Sequence, residues 1–392
     1  MRFGRITRVR FATGVFAALC TLGLLAPSPR GYARPSAPGD ISLSAGRLFE
    51  VDSGAVSVSG THELRRSASG AYSVKHGPAP AIPLTAAPRG QHRIKQSGSY
   101  SLVGGTVFVA APRNGARLML RTGTSDTDLF GPHVVWSTDD GQVRQRYLNP
   151  EGPVKKILAR SGAAGPVAVW GPRSAYLDTE GRIHILGNLG YERRTVPAGR
   201  RVRDLRLNYA TLSWTADDGS VHVMDLGEAE PRRYKLALRP PYAVEGRQVA
   251  GIDAQGRVRV QNLPFTPGRQ APWLISSQLS TELEAGKPWK PRFDVSKPLT
   301  NVRLTLLGSG SALATLQSKA PFGTIGGFRW DGRDHSGRAV PPSCYTWVLQ
   351  AEAADGSGPV IGDLGPEPGG SLNLTPVGGW PDGLGMGCWS GY

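Results

Sequence analysis

The chain has 392 residues, enough for two domains with separate cores. Gly (52) and Pro (32) together exceed a fifth of it, in no collagen-like period, and 39% of residues are hydrophobic. That composition excludes a fibrous chain and points to many short strands joined by tight turns. The formal net charge of +16 comes without any nucleic-acid recognition motif, so nucleic acid is not expected as a partner.

Residues 1–33 read as a signal peptide. Arg2, Arg5, Arg8 and Arg10 form a basic start, and Phe11 to Ala26 is uncharged and apolar. Gly31-Tyr32-Ala33 then supplies small residues for cleavage after Ala33, with Ala26 as second choice. An uncleaved anchor is the rival reading, but the run is about 16 residues where a span needs roughly 20. Leu19 before Cys20 argues against lipidation, and there is no twin-arginine pair. The expected location is therefore extracellular or cell-wall associated, with the membrane met only through the leader. Removing residues 1–33 removes five arginines and no acids, taking the charge from +16 to +11.

Leu48 to Val58, around Gly54, and Val107 to Leu120, through Asn114-Gly115, each read as a hairpin. Four further hairpins recur, with turn glycines at Gly141, Gly181, Gly219 and Gly256. Successive spacings of 40, 38 and 37 residues fit one four-stranded propeller blade per unit. An acidic residue opens the turn and Gly supplies its positive φ. Pro166 to Trp170 and Leu205 to Leu207 supply further strands. Residues 42–265 would hold about five or six blades and resemble a bacterial β-propeller; a stack of β-sandwiches is the alternative. Trp136 and Trp214, each five residues before a turn Gly, read as packing between blades. The acids of these turns lack the longer ladder of a calcium loop, so no metal is expected.

Basic clusters occur at Arg89 to Lys95, Arg193-Arg194 and Arg200 to Arg203. They read either as solvated surface or as attraction to an anionic cell-wall polymer; another extracellular protein is the alternative partner.

Residues 266–278 read as a linker. After it, Trp330, Asp331, Gly332, Asp334 and Gly337, with Arg338, Val340-Pro341, Tyr345 and Trp347, form a motif. It resembles the FlgD-type immunoglobulin-like domain over 279–361, departing from it at Ser343-Cys344. The resemblance implies an Ig-like β-sandwich with a structural or attachment role and carries no flagellar implication. Asp331 and Asp334 suit turn hydrogen bonds, and Trp330 and Trp347 suit a core. Residues 362–392 read as a Gly/Pro-rich tail of little order, with Trp380 and Trp389 in it. Cys344 and Cys388 survive cleavage and are expected to form a disulfide.

The fold class read from all this is all-β, a β-propeller followed by an Ig-like β-sandwich. No nucleophile elbow, zinc-protease pair or phosphate loop is present, so no catalytic residue and no cofactor is assigned. His184 and His222 fall inside the repeat hairpins and read as outward or packing residues. A binding or structural role at the cell surface is expected; the alternative is an extracellular propeller enzyme acting on polysaccharide. Paired carboxylates lining the channel would favour the enzyme. N-terminal sequencing of the exported protein should begin at Arg34; an intact Met1 in a membrane fraction would overturn the leader.

Overall fold

The computed structural model describes residues 42–378, together with Cys388, apart from the segments 45–46, 50–54, 60, 77, 85–92, 112–114, 125, 149–153, 188–192, 228–230, 268–270, 321–322 and 363–364. The leader and the tail tryptophans, Trp380 and Trp389, lie outside the described residues. Every described element is a β-strand.

From residue 55 to residue 262, antiparallel meanders follow one another in chain order. Sheets 1 to 5 span 55–83, 94–121, 127–159, 163–197 and 203–235 and have four strands each; sheet 6, 239–262, has three. The first strands of sheets 1 to 5, Ala55–Ser59, Ile94–Ser97, Thr127–Phe130, Ala163–Trp170 and Arg203–Asn208, lie side by side in succession. The short strand Ser42–Ser44 lies against both Arg239–Glu245 of sheet 6 and Ala55–Ser59 of sheet 1, closing the series. This is the arrangement of a β-propeller.

Burial follows from it. Thr211–Thr215 and Val221–Asp225, the middle strands of sheet 5, are buried throughout because sheets cover both faces. The outer strand Arg233–Lys235 is largely exposed. Leu205, Leu212 and Trp214 of sheet 5 join Val169, Leu177 and Ile183 of sheet 4 in one apolar cluster. Each such Leu, Ile or Val stabilises the fold by about 1.5–3 kcal/mol.

The repeat read from the sequence is the second-to-third-strand turn. Gly141, Gly181, Gly219 and Gly256 close it in sheets 3 to 6 with φ of 75, 81, 75 and 75°. In each, the glycine N–H donates to the carbonyl three residues back. Gly115 closes a third-to-fourth-strand turn in sheet 2 instead, which explains its irregular spacing from Gly141. The turn expected around Gly54 lies outside the described residues. Arg47–Phe49 pairs with Ser42–Ser44, and Ala55–Ser59 pairs with His62–Arg66. Five residues before the turn glycine, an aromatic faces a basic or imidazole side chain across the strands, as Trp136↔Arg144, Tyr176↔His184 and Trp214↔His222. Trp136 and Trp214 are buried in clusters shared between sheets.

Beyond residue 272, a three-stranded sheet (Leu274–Gln278, Arg292–Val295, Thr324–Ile325) and a five-stranded sheet share one core. The larger sheet runs Glu282–Glu284, Gly369–Thr375, Ser343–Ala353, Leu299–Gly308, Ser311–Ala320. Two sequence expectations give way here. Leu274–Gln278, inside the stretch read as linker, is a strand paired with Arg292–Val295. Gly369–Thr375, inside the stretch read as tail, pairs with Ser343–Ala353 because Leu372 and Leu374 alternate into the core. Cys344 and Cys388 are joined with Cα atoms 5.5 Å apart. Closing that loop stabilises the fold by about 4 kcal/mol on the chain-entropy model.

The C-terminal unit is seated directly on the meanders. The first-to-second-strand turns of sheets 2, 3 and 4 carry Gly98, Gly131 and Gly171 at φ of 55, 53 and 51°. A Cβ on Gly98 would lie 2.5 Å from the Ser276 hydroxyl, and one on Gly131 2.3 Å from the Ile275 carbonyl. At Gly171 the indole of Trp273 begins 3.4 Å away. Gly246 makes the same turn in sheet 6, φ 54°, facing open space. The pair separates backbone strain from docking. Gly246→Ala should cost about 1–2 kcal/mol, the strain of a left-handed residue. Gly131→Ala should lower the thermal midpoint further and expose 273–278 to hydrogen exchange. Equal effects would show that the seat is not tight.

Candidate functional site

The first strands bring a group of charged side chains to the middle of the series. Arg93 precedes Ile94–Ser97, Lys95 lies within it, and Asp128 sits on Thr127–Phe130. Arg206 belongs to Arg203–Asn208 and Tyr242 to Arg239–Glu245. Arg93 reaches from sheet 2 past sheet 3 and donates to the Val167 carbonyl of sheet 4 (2.6 Å) and the Leu205 carbonyl of sheet 5 (2.7 Å). Its Nε lies 3.5 Å from Asp128 Oδ1. Lys95 Nζ donates to the same oxygen at 2.9 Å, and the Val169 amide donates to Asp128 Oδ2 at 2.8 Å. Asp128 is wholly buried. Arg206 lies 4.6 Å over the Tyr242 ring, whose hydroxyl donates to the Asp204 carbonyl at 2.6 Å. Arg206 Nε is buried without a hydrogen-bond partner.

Electrostatics follow from this enclosure. Burial pushes the Asp128 carboxyl up, but Arg93, Lys95 and the Val169 amide together hold it below the usual carboxylate range. Burial lowers Lys95, and Asp128 opposes that shift. Burial raises Asp126, with Arg93 pulling it back. Gln96 is tied in as well: its amide donates to the Gly98 carbonyl and accepts from Ser101 Oγ, both at 2.7 Å.

The sequence reading named Arg89 to Lys95 as a basic cluster; its members Arg93 and Lys95 sit here, half-buried and bonded to Asp128 or to backbone carbonyls, while 89–92 lie outside the described residues. Arg200, Arg201 and Arg203 are exposed, whereas Arg194 donates to the Leu226 carbonyl at 2.9 Å. His184 pairs with Asp178 at 2.7 Å, and His222 accepts from Arg233 Nε at 2.9 Å. In the C-terminal unit, Trp330 and Trp347 are buried, and Trp330 Nε1 donates to the Arg333 carbonyl at 2.7 Å. Asp331 accepts from the Arg333 amide. Tyr345 donates its hydroxyl to the Pro341 carbonyl. Gly332 and Gly337 both hold φ of 80°.

Sequence reasoning missed Asp253 and undervalued Asp178. Each accepts from the backbone amides two and four residues on and from the side chain of the following Arg, Arg182 or Arg257. Asp334 does the same with Ser336 and Arg338, and hydrogen bonds led by Ser336 hold it down to about 2. The signal was legible as Asp-x-x-Gly-Arg in all three places. Among the described residues, no group of three or more His, Cys, Asp or Glu could hold a metal ion. No described helix is long and apolar enough to cross a membrane.

No family model matches the chain, and no curated protein matches it. Similar solved structures include BamB from Moraxella catarrhalis, at 13% identity and a TM-score of 0.32, covering 58% of this chain and 95% of that one. The β-propeller domain of Cps50 (Swd1) from Myceliophteria thermophila is 13% identical, TM-score 0.36, covering 69% and 94%. YCF48 bound to D1 peptide is 11% identical, TM-score 0.38, covering 54% and 78%.

A carboxylate held below its ordinary pKa adds stability that is present above about pH 3.8 and is lost as pH falls through the folded value. Asp128→Asn removes the buried counter-charge of two half-buried cations and should cost about 1–3 kcal/mol. Thermal midpoints measured from pH 7 to pH 3 should also fall less steeply in the variant. A parallel pair of curves would remove Asp128 from the acid response.

Proposed function

We propose that this chain is an exported, non-enzymatic binding or scaffolding protein of the cell surface or extracellular medium. In this reading it is a six-bladed β-propeller with the hairpin 42–49 wedged between the last blade and the first. A FlgD-type Ig-like β-sandwich is docked on one face. The supporting observation is the central cluster: Arg93, Lys95 and Asp128 are spent on one another and on backbone groups of neighbouring sheets. Groups so occupied brace a scaffold and leave binding to the outer surface.

The partner class proposed is an anionic extracellular polymer, such as a wall polysaccharide or teichoic acid, drawn by the +11 charge left after the leader. Exposed Arg200, Arg201 and Arg203, close together in sequence, are the first contacts to test. A second reading, an enzyme acting on polysaccharide, draws on one observation: Asp126 and Asp128 lie two residues apart with pKa values displaced in opposite directions.

Sedimentation with purified cell wall tests the proposal. Retention should be strong at low salt and fall steeply through the physiological range. Replacing Arg200, Arg201 and Arg203 by Gln should weaken it. Retention that ignores salt, or none at all, counts against the polymer. Release of reducing sugar from the wall, lost in Asp126→Asn, would favour the enzyme.

A further inference from the structure

The C-terminal unit meets sheets 3 and 4 through apolar groups, with Ile275 over Gly131 and Trp273 5.7 Å from the Trp170 ring. It meets sheet 1 quite differently. There His62 and His76 sit directly opposite each other on adjacent strands, rings stacked 4.3 Å apart. His62 is 3% exposed, and its Nδ1, 3.5 Å from Asp294 Oδ1, has no hydrogen-bond partner. Arg292 Nη1 donates to His76 Nδ1 at 3.2 Å. A guanidinium has only donors, so that bond exists only while His76 Nδ1 is unprotonated.

We infer that the His62–His76 stack is an acid-released latch: neutral, it holds the C-terminal unit against sheet 1, and protonated, it lets that edge go. Three strands of the C-terminal unit supply the charged and hydroxyl groups at the pair. The strand Arg292–Val295 supplies Arg292 and Asp294. Leu274–Gln278 supplies Ser276, whose hydroxyl donates to Asp294 Oδ2 at 2.6 Å. Thr324–Ile325 supplies Thr324, bonded to Asp294 Oδ1 at 3.3 Å and to Thr61 Oγ1 of sheet 1 at 3.1 Å. One carboxylate, already shared by two hydroxyls, would face two imidazolium rings and a guanidinium. At sheets 3 and 4 the seat is apolar, Ile275 over Gly131 and Trp273 beside Trp170, so it holds while the latch opens.

Burial, then His62 and Arg292, lower His76 from 6.5 to about 4. Burial lowers His62 too; Asp294 opposes the shift and Arg292 adds to it. Both folded values lie below the unfolded one. The latch is therefore fully closed above about pH 6.5 and loses its free energy as pH falls towards 4.

Hydrogen-exchange mass spectrometry on the full chain at pH 7.5 and 4.5, corrected for intrinsic rates, tests this. Peptides covering 55–76 and 292–295 should lose protection by roughly tenfold or more at pH 4.5. Peptides covering 203–225 should keep theirs. The His62→Phe/His76→Phe variant, stacked but unable to titrate, should show no such loss. Equal loss everywhere, no loss at 55–76, or the same loss in the Phe pair overturns the inference. Should that variant fail to fold, imidazole titration of the unaltered chain by NMR decides. His76 should titrate near pH 4, and a midpoint near 6.5 overturns the latch.

Discussion

Strands that end a sheet leave one row of N–H and C=O groups without ladder partners, and here several sheets turn such an edge toward a common centre. Val167, Val169 and Leu205 on these edges are buried, and an unpaired buried amide or carbonyl costs about 1–3 kcal/mol. An apolar centre would leave them all orphaned. Arg93 and Asp128 meet this constraint from opposite chemical sides: the guanidinium saturates carbonyls of sheets 4 and 5, and the carboxylate takes the Val169 amide. Because each group offsets the other's charge, the first strands of sheets 2 to 5 are tied to one another by a single ion cluster centred on buried Asp128. Lys95 adds the second counter-charge.

The same logic of matched surfaces sets how the C-terminal unit is held. Sheets 2, 3 and 4 use glycine in the first-to-second-strand turn, and there residues 273–276 come within van der Waals reach. Sheet 5 makes the turn with Tyr209 at φ 54°, a bulky residue in a conformation that favours glycine. It bears the Trp170 ring edge and the Arg173 guanidinium in place of the C-terminal unit. At Gly98, Gly131 and Gly171 the close approach thus excludes a side chain, a demand added to that of the turn itself, which Gly246 meets facing open space. The stretch after the last meander is accordingly not a hinge between independent bodies: Trp273 and Ile275 belong to the same apolar cluster as sheets 3 to 5.

The meanders of sheets 3 to 6 were legible because their turn chemistry repeats at nearly constant spacing. Sheets 1 and 2 were not. Gly104-Gly105 replaces the longer turn in sheet 2, and its most visible hairpin, at Gly115, belongs to a different step of the meander. The last strand of the C-terminal unit hid in a glycine-rich stretch, since Gly369 and Gly370 have no side chains to show periodicity. A Cβ at Gly370 would meet the Trp347 ring at 2.8 Å, so this glycine is a packing requirement. The central cluster was the least legible of all. Its members lie up to 149 residues apart, from Arg93 to Tyr242, and no local pattern distinguishes a buried Arg93 from a solvated one.

Net charge is for the same reason a coarse guide to the binding surface. Arg182, Arg257 and Arg338 brace the Asp-x-x-Gly-Arg turn in two sheets and again in the C-terminal unit. The turn needs them because each aspartate gathers two backbone amides, and the arginine balances the charge thus concentrated at a strand end. Arg93 and Lys95 are consumed at the centre, and Arg233 lies 5.6 Å over Trp214. Much of the arginine that makes the chain basic is therefore structural. What it leaves for a partner includes the exposed run at Arg200, Arg201 and Arg203, on the connection into sheet 5 beside the Gly181 turn. A surface reading built on position thus selects far fewer residues than one built on composition.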